Sequence, residues 1–148
     1  MPHELRASRL AYAEQLFRST GPVAVSAKVD RAYRVLAGVV TLVELKTRKA
    51  DRVYISDVIE LSAQRHALYS QTGEQVSEHG YVAVQRIGAT RKRVHRVKLL
   101  VEEQVSLIVT RCERLLMQAA IPGPPRSAAL CKHCIYLSEC DWAARCRP

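Results

Sequence analysis

The 148-residue sequence predicts an α/β fold, a mixed central sheet flanked by helices. Three observations carry that prediction. Segments with helical and strand-like apolar spacing alternate along the chain, the order that covers a sheet with helices. The run Val39-Val40-Thr41-Leu42-Val43 is apolar enough to be a buried strand. The chain is also long enough for one domain with a real core, and its 48% apolar content can supply that core.

The elements follow in order. Residues 4–18 read as a helix, with Leu5, Tyr12 and Leu16 on one face and Leu10 and Phe17 beside it. Thr20-Gly21-Pro22 ends it. Strands are expected over residues 23–29, 32–36 and 39–46, with Ala37-Gly38 as a turn, and residues 47–52 form a basic loop. Ser56-Asp57 is placed to cap a helix reaching Gln71, stopped by Thr72-Gly73, with Val58, Leu61, Ala67 and Leu68 as its buried stripe. Core strands follow at residues 81–84 and 94–100, around a basic stretch from Arg86 to Arg93. Residues 101–118 space Val105, Ile108, Leu115 and Leu116 as an amphipathic helix. Ile121-Pro122-Gly123-Pro124-Pro125 forces an extended linker. The expected organisation is a core over residues 1–120, a Pro-rich linker over 121–130 and a cysteine tail over 131–148.

The charge balance narrows the partners. Lys and Arg number 23 against 14 Asp and Glu, a formal +9, which favours polyanions, nucleic acid being the usual one. No apolar run approaches the roughly 18 residues of a membrane span, and the first residues lack a signal-peptide core. A cytoplasmic protein without a membrane partner is expected, in which clustered cysteines bind metal more often than they form disulfides.

Chemistry concentrates where the buried strand ends, in Val43-Glu44-Leu45-Lys46. Alternation puts Glu44 and Lys46 on one face and Leu45 on the other. Buried opposite charges need each other or a ligand. Fourteen residues upstream, Asp30 closes another strand-like run. Asp30 and Glu44 offer the hard oxygens that magnesium or manganese prefers, and Lys46 stands beside them to orient water or stabilise developing negative charge. That set fits metal-assisted phosphodiester hydrolysis. Arg48, Lys49 and Arg52 follow the strand, and Arg91, Lys92, Arg93 and Arg96 cluster on a second loop, so both sets suit phosphate contacts. Tyr33, Tyr54 and Tyr69 are candidates for stacking on unpaired bases, although packing is the commoner role for each tyrosine taken alone.

The tail adds a second site. Cys131, Cys134, Cys140 and Cys146 give the spacing C-x(2)-C-x(5)-C-x(5)-C. Four cysteines so close in a cytosolic chain point to a thiolate-held metal, with zinc and a [4Fe-4S] cluster both accepted. Cys112 reads as a buried small hydrophobe within a helix, and His66, His79 and His95 as surface residues.

Lys28-Val29-Asp30 with Val43-Glu44-Leu45-Lys46-Thr47-Arg48 resembles the motifs of the RecB-type PD-(D/E)xK nucleases, whose core is restriction-endonuclease-like. Within that superfamily the chain is most similar to the CRISPR-associated Cas-four exonuclease family, over about residues 24–142. The resemblance implies a magnesium- or manganese-dependent DNA exonuclease acting on single-stranded ends, with Asp30 and Glu44 as ligands and Lys46 as the catalytic lysine. It further implies processing of spacer precursors in CRISPR adaptation, beside the integrase complex. The family's Q-x-x-x-Y helix falls on Glu60-Leu61-Ser62-Ala63-Gln64, which puts Glu60 and Gln64 one turn apart on one face. A looser alignment uses Gln64 and Tyr69. The family's N-terminal metal-binding histidine has His3 as its counterpart. The tail resembles the family's iron–sulfur motif, but the family's N-terminal cysteine is missing, so Cys146 or Cys112 would complete the ligand set. The alternative reading is a non-catalytic nucleic-acid-binding subunit with a structural zinc or iron–sulfur site.

Overall fold

The computed structural model describes residues 2–20, 23–125, 127–131, 134–135, 137–140 and 142. Five strands form one mixed sheet in chain order: β1 (Arg9–Arg18), β2 (Ser26–Arg34), β3 (Val40–Arg48), β4 (His79–Arg86) and β5 (Lys92–Lys98). β3 and β4 run parallel and every other neighbouring pair is antiparallel. A parallel pair needs a crossover, and α1 (Ile55–Thr72) supplies it. α1 ends at Gly73, whose φ of 70° closes the helix in the left-handed conformation. α2 (Glu102–Leu116) follows β5, then α3 (Ala128–Cys131), with 3₁₀ turns at His3–Leu5 and Leu137–Glu139.

The sheet separates two apolar clusters. On one face Val29, Ala32, Leu42, Val82 and Val84 pack with Leu61, Ala67 and Leu68 of α1. On the other, Tyr33, Val43, Tyr81 and Ala83 pack with Leu5 of the first 3₁₀ turn, and Val35 and Leu45 join them. Gly80 of β4 is held to glycine by close approach, because an added Cβ would lie 3.3 Å from the Leu42 carbonyl oxygen and 3.5 Å from Leu61.

The first element departs from expectation. Residues 9–18 form edge strand β1, not the end of a helix. Tyr12 and Phe17 pack edge-to-face with ring centroids 5.0 Å apart, on the same core face. Five residues apart, they can share a face of a strand only if the alternation breaks between them. The pairing with β2 shifts register between Leu10 and Tyr12, and Glu14, which lies between the two rings, takes φ of 52°. The irregularity gives a strand the apolar spacing of a helix. The two strands expected over residues 23–29 and 32–36 are one continuous strand, β2. The cap of α1 also differs: Ser56 lies inside the helix, and Asp57 accepts the Tyr54 backbone N–H at 2.8 Å.

The chain divides into two compact units, Met1–Thr110 and Arg111–Pro148. In the second, the Trp142 indole N–H donates to the Pro122 carbonyl at 3.0 Å, and the Cys134 N–H donates to the Cys131 carbonyl at 3.1 Å. Cys131 is buried, Cys140 half-buried and Cys134 exposed. Cys112 is exposed, not the buried hydrophobe expected from its place in a helix. Cys146 lies outside the described residues. Among the described residues no helix is long and apolar enough to cross a membrane.

Candidate active site

The site forms where β2 and β3 part. Their ladder runs from Arg34↔Val40 to Arg31↔Val43 and stops there. The next free donor on β3 is the Leu45 N–H, and the Asp30 carboxylate takes it, Oδ2 accepting at 2.9 Å. Asp30 thus stands in for a missing ladder carbonyl, which fixes it beside the next residue, Glu44. Glu44, in register with Val82, is on the α1 side of the sheet. Leu45 turns to the opposite cluster, as strand alternation requires.

Glu44 is almost wholly enclosed, its side chain 3% exposed. Its Oε1 lies 2.7 Å from Lys46 Nζ. Its Oε2 accepts from Gln64 Nε2 at 2.7 Å. Lys46 bridges onward to Glu60 Oε2, also at 2.7 Å. Glu60 and Gln64 are four residues apart on α1 and share a helix face. Burial pushes the Glu44 carboxyl above its ordinary value; the hydrogen bonds from Lys46 and Gln64 oppose this, and the charges of Asp30 and Glu60 reinforce it. Burial lowers the Lys46 ammonium, but its bonds to Glu44 and Glu60 carry it above the usual lysine value. Lys46 therefore stays cationic.

Gln64 is itself buried, and its Oε1 has no hydrogen-bond partner among the described residues. A buried amide oxygen left unpaired on a side chain bonded to a buried carboxylate is the kind of atom a bound cation or its water would satisfy. Among the described residues no three His, Cys, Asp or Glu side chains converge as a metal cage. The donors at hand are Asp30, Glu44 and the Gln64 amide oxygen. That hard-oxygen set suits magnesium or manganese, which keep several waters and use one or two carboxylates.

The other expected residues lie elsewhere. His3 belongs to the 3₁₀ turn whose Leu5 covers the opposite sheet face, and it is not brought to Glu44. The Arg48 guanidinium is held bidentately by Asp57 at 2.8 and 3.0 Å. Arg48 and Arg52 both stand over the Tyr54 ring, at 4.8 and 4.6 Å from its centroid. Tyr33 is buried in the core, whereas Tyr69 is exposed. Lys49, Arg91 and Lys92 are exposed. Arg93, 80% exposed, pairs with Asp51 at 3.1 Å.

Two histidines read as surface residues are engaged. His95 Nε2 lies 2.8 Å from Asp51 Oδ1. The His66 side chain is only 10% exposed, 3.7 Å from Glu102. Its spacing one residue before Ala67 and Leu68 of the buried stripe was the signal for that burial. The partnership of Asp57 with Arg48 had no local signature, because it joins a strand end to a helix start.

No protein-family description matches the chain, and no curated protein matches it. Solved structures share its fold. A protein designated SSO0001 superposes with a TM-score of 0.56 at 19% identity, over 88% of this chain and 59% of its own. A protein named "Putative exonuclease" from Eubacterium rectale superposes with a TM-score of 0.53 at 13% identity, over 98% of this chain and 54% of its own. The chain therefore spans little more than half the length of either. At these identities the likeness is one of fold.

Proposed function

We propose that this chain is a metal-dependent deoxyribonuclease that hydrolyses phosphodiester bonds at DNA ends, its active site built from Asp30, Glu44 and Lys46. The observation that carries the reading is the convergence of those side chains where β2 and β3 part, with Gln64 and Glu60 closing the site from α1. The fold shared with the Eubacterium rectale protein named as an exonuclease supports the same class.

Asp30 and Glu44 would hold magnesium or manganese, which when bound supplies charge neutralisation at the scissile phosphate and a more acidic water. The chain's own groups do the rest. Asp30 uses one oxygen to fix β3 and keeps the other for a ligand. Gln64 fixes the plane of the Glu44 carboxylate. Lys46, 24% exposed, is the cation that reaches solvent, where it can donate to a phosphate oxygen or orient the attacking water. Water adds to phosphorus as the phosphorus–oxygen ester bond breaks, leaving an alcohol and a phosphate monoester.

The finer expectations belong to the same proposal. Cys131, Cys134, Cys140 and Cys146 would hold a [4Fe-4S] cluster, zinc being the alternative. The physiological substrate would be single-stranded spacer precursors handled beside the CRISPR integrase, a setting that rests on sequence resemblance.

The decisive test is degradation of end-labelled single-stranded DNA with manganese by anaerobically purified protein and its Lys46→Ala variant. The parent digests and the variant does not. If neither digests while DNA binding persists, the catalytic reading fails and a nucleic-acid-binding subunit takes its place.

A further inference from the structure

Both carboxylate oxygens of Glu44 are already engaged, Oε1 by Lys46 and Oε2 by Gln64. An ammonium 2.7 Å from Oε1 repels any divalent cation approaching that oxygen, most strongly where the carboxylate is 97% enclosed and poorly screened. Lys46 and the cation therefore compete for Glu44. Lys46 has a second anionic partner at the same distance, Glu60. Of the other nearby carboxylates, Asp57 is committed to Arg48, and Asp30 is tied through Oδ2 to the Leu45 N–H. Glu60 is 48% exposed and free to follow the lysine's flexible stem, whereas Glu44 is fixed by its burial.

We propose that Glu60 is a positioning residue for the cation site: it takes Lys46 over when a divalent cation occupies Glu44. Cation entry is then an exchange of partners in which Lys46 keeps one carboxylate throughout. Without the Glu60 charge, Lys46 stays on Glu44 and holds the cation off. The inference rests on the metal-dependent reading above and adds to it which residue sets the affinity.

The test is titration of the full chain with manganese, reading free ion by its paramagnetic resonance. The proteins compared are the parent, Glu60→Gln, Lys46→Met and the double variant. Binding that disappears in Glu44→Gln is taken as binding at this site, and thermal melts establish that each variant is folded. Glu60→Gln weakens manganese binding roughly tenfold when Lys46 is present, within the range measured for groups in direct contact. In the Lys46→Met background the same change alters binding by less than about twofold, because no ammonium remains to be moved. Lys46→Met alone tightens binding, and Glu60→Asp restores most of the loss.

Equal losses in both backgrounds would overturn the proposal, since Glu60 would then act on the cation itself. No loss in either would overturn it too. A parent that binds no manganese at this site would remove the nuclease reading along with it.

Discussion

At the scale of single residues, the role proposed for Glu44 sets function against stability. Burial raises its carboxyl in the folded protein, and Asp30 and Glu60 add to the rise against the bonds from Lys46 and Gln64. A carboxyl raised on folding stabilises the folded state most below its unfolded pKa. That contribution is lost as pH rises through the folded value. At neutral pH the enclosed charge therefore opposes folding. Glu44→Gln keeps the shape and can still accept from Gln64, while Lys46 retains Glu60. We expect this variant to melt about 3 °C higher at pH 7, on the order of 1 kcal/mol for a chain of this size. The gain should vanish below about pH 4, where the parent carboxyl is protonated in both states. On the proposed function the same variant has no nuclease activity, the usual relation when a strained site is relaxed. Calorimetry from pH 3 to 8 checks it, and a lower melting point at pH 7 would mean that the lost ion pair outweighs burial.

At the scale of elements, α1 starts where Asp57 ties three things together. Its carboxylate takes the Tyr54 N–H and both arms of Arg48, and it is 4% exposed. Burial alone would raise the Asp57 carboxyl, but Arg48 and the Tyr54 amide hold it below the ordinary aspartate value. Its contribution is therefore present above the unfolded pKa and lost as pH falls through the folded one. Asp57→Ala leaves the Arg48 guanidinium without its partner and should destabilise the protein by about 3 kcal/mol. Urea unfolding at pH 7 measures the loss, which should shrink toward acid, and a change under about 1 kcal/mol would show the pair to be a surface bond. α1 itself was legible because its apolar stripe and Gly73 are local signals. Its cap was legible in part, since the sequence points to Asp57 but with Ser56 rather than the Tyr54 N–H. The Arg48 partner of Asp57 was not legible, being nine residues back on another element. β1 was misread for a related reason: only pairing with β2 reveals that residues 9–18 form an irregular strand rather than the end of a helix. Glu44 and Lys46 were legible as a pair because strand alternation fixes their direction before any tertiary contact forms, whereas only the fold shows the Asp30 carboxylate, on another strand, bonded to the Leu45 N–H. Glu60 and Gln64 were reached only through the family resemblance, and only the fold shows that one holds Lys46 and the other Glu44.

At the scale of the whole molecule, the +9 charge bears on the proposed function, because DNA would have to meet it on a face the sheet leaves open. Arg48, expected to face phosphate, is occupied by Asp57 and stacked on Tyr54. Sequence could not show this, because a basic run looks the same whether its charges are free or spent inside the fold. Arg91 and Lys92 are exposed where β4 turns into β5, and Arg93 is exposed despite its pairing with Asp51. β4 lies directly against β3, so this turn belongs to the same end of the sheet as Lys46, with Lys46 in register with Val84 and Val84 with Arg93. A strand of DNA entering the site would cross it. Replacing Arg91, Lys92 and Arg93 together by alanine should weaken single-stranded DNA binding and flatten its salt dependence. Each phosphate contact contributes a slope of about 0.7 for single strands, so three lost contacts lower the slope by about 2. Turnover at saturating DNA should stay near the parental value, because none of the three touches Glu44 or Lys46. Fluorescence anisotropy over a range of potassium chloride measures the slope. An unchanged slope would mean that the DNA follows another face, and Lys49 and Arg52 beyond the end of β3 would then be the groups to remove.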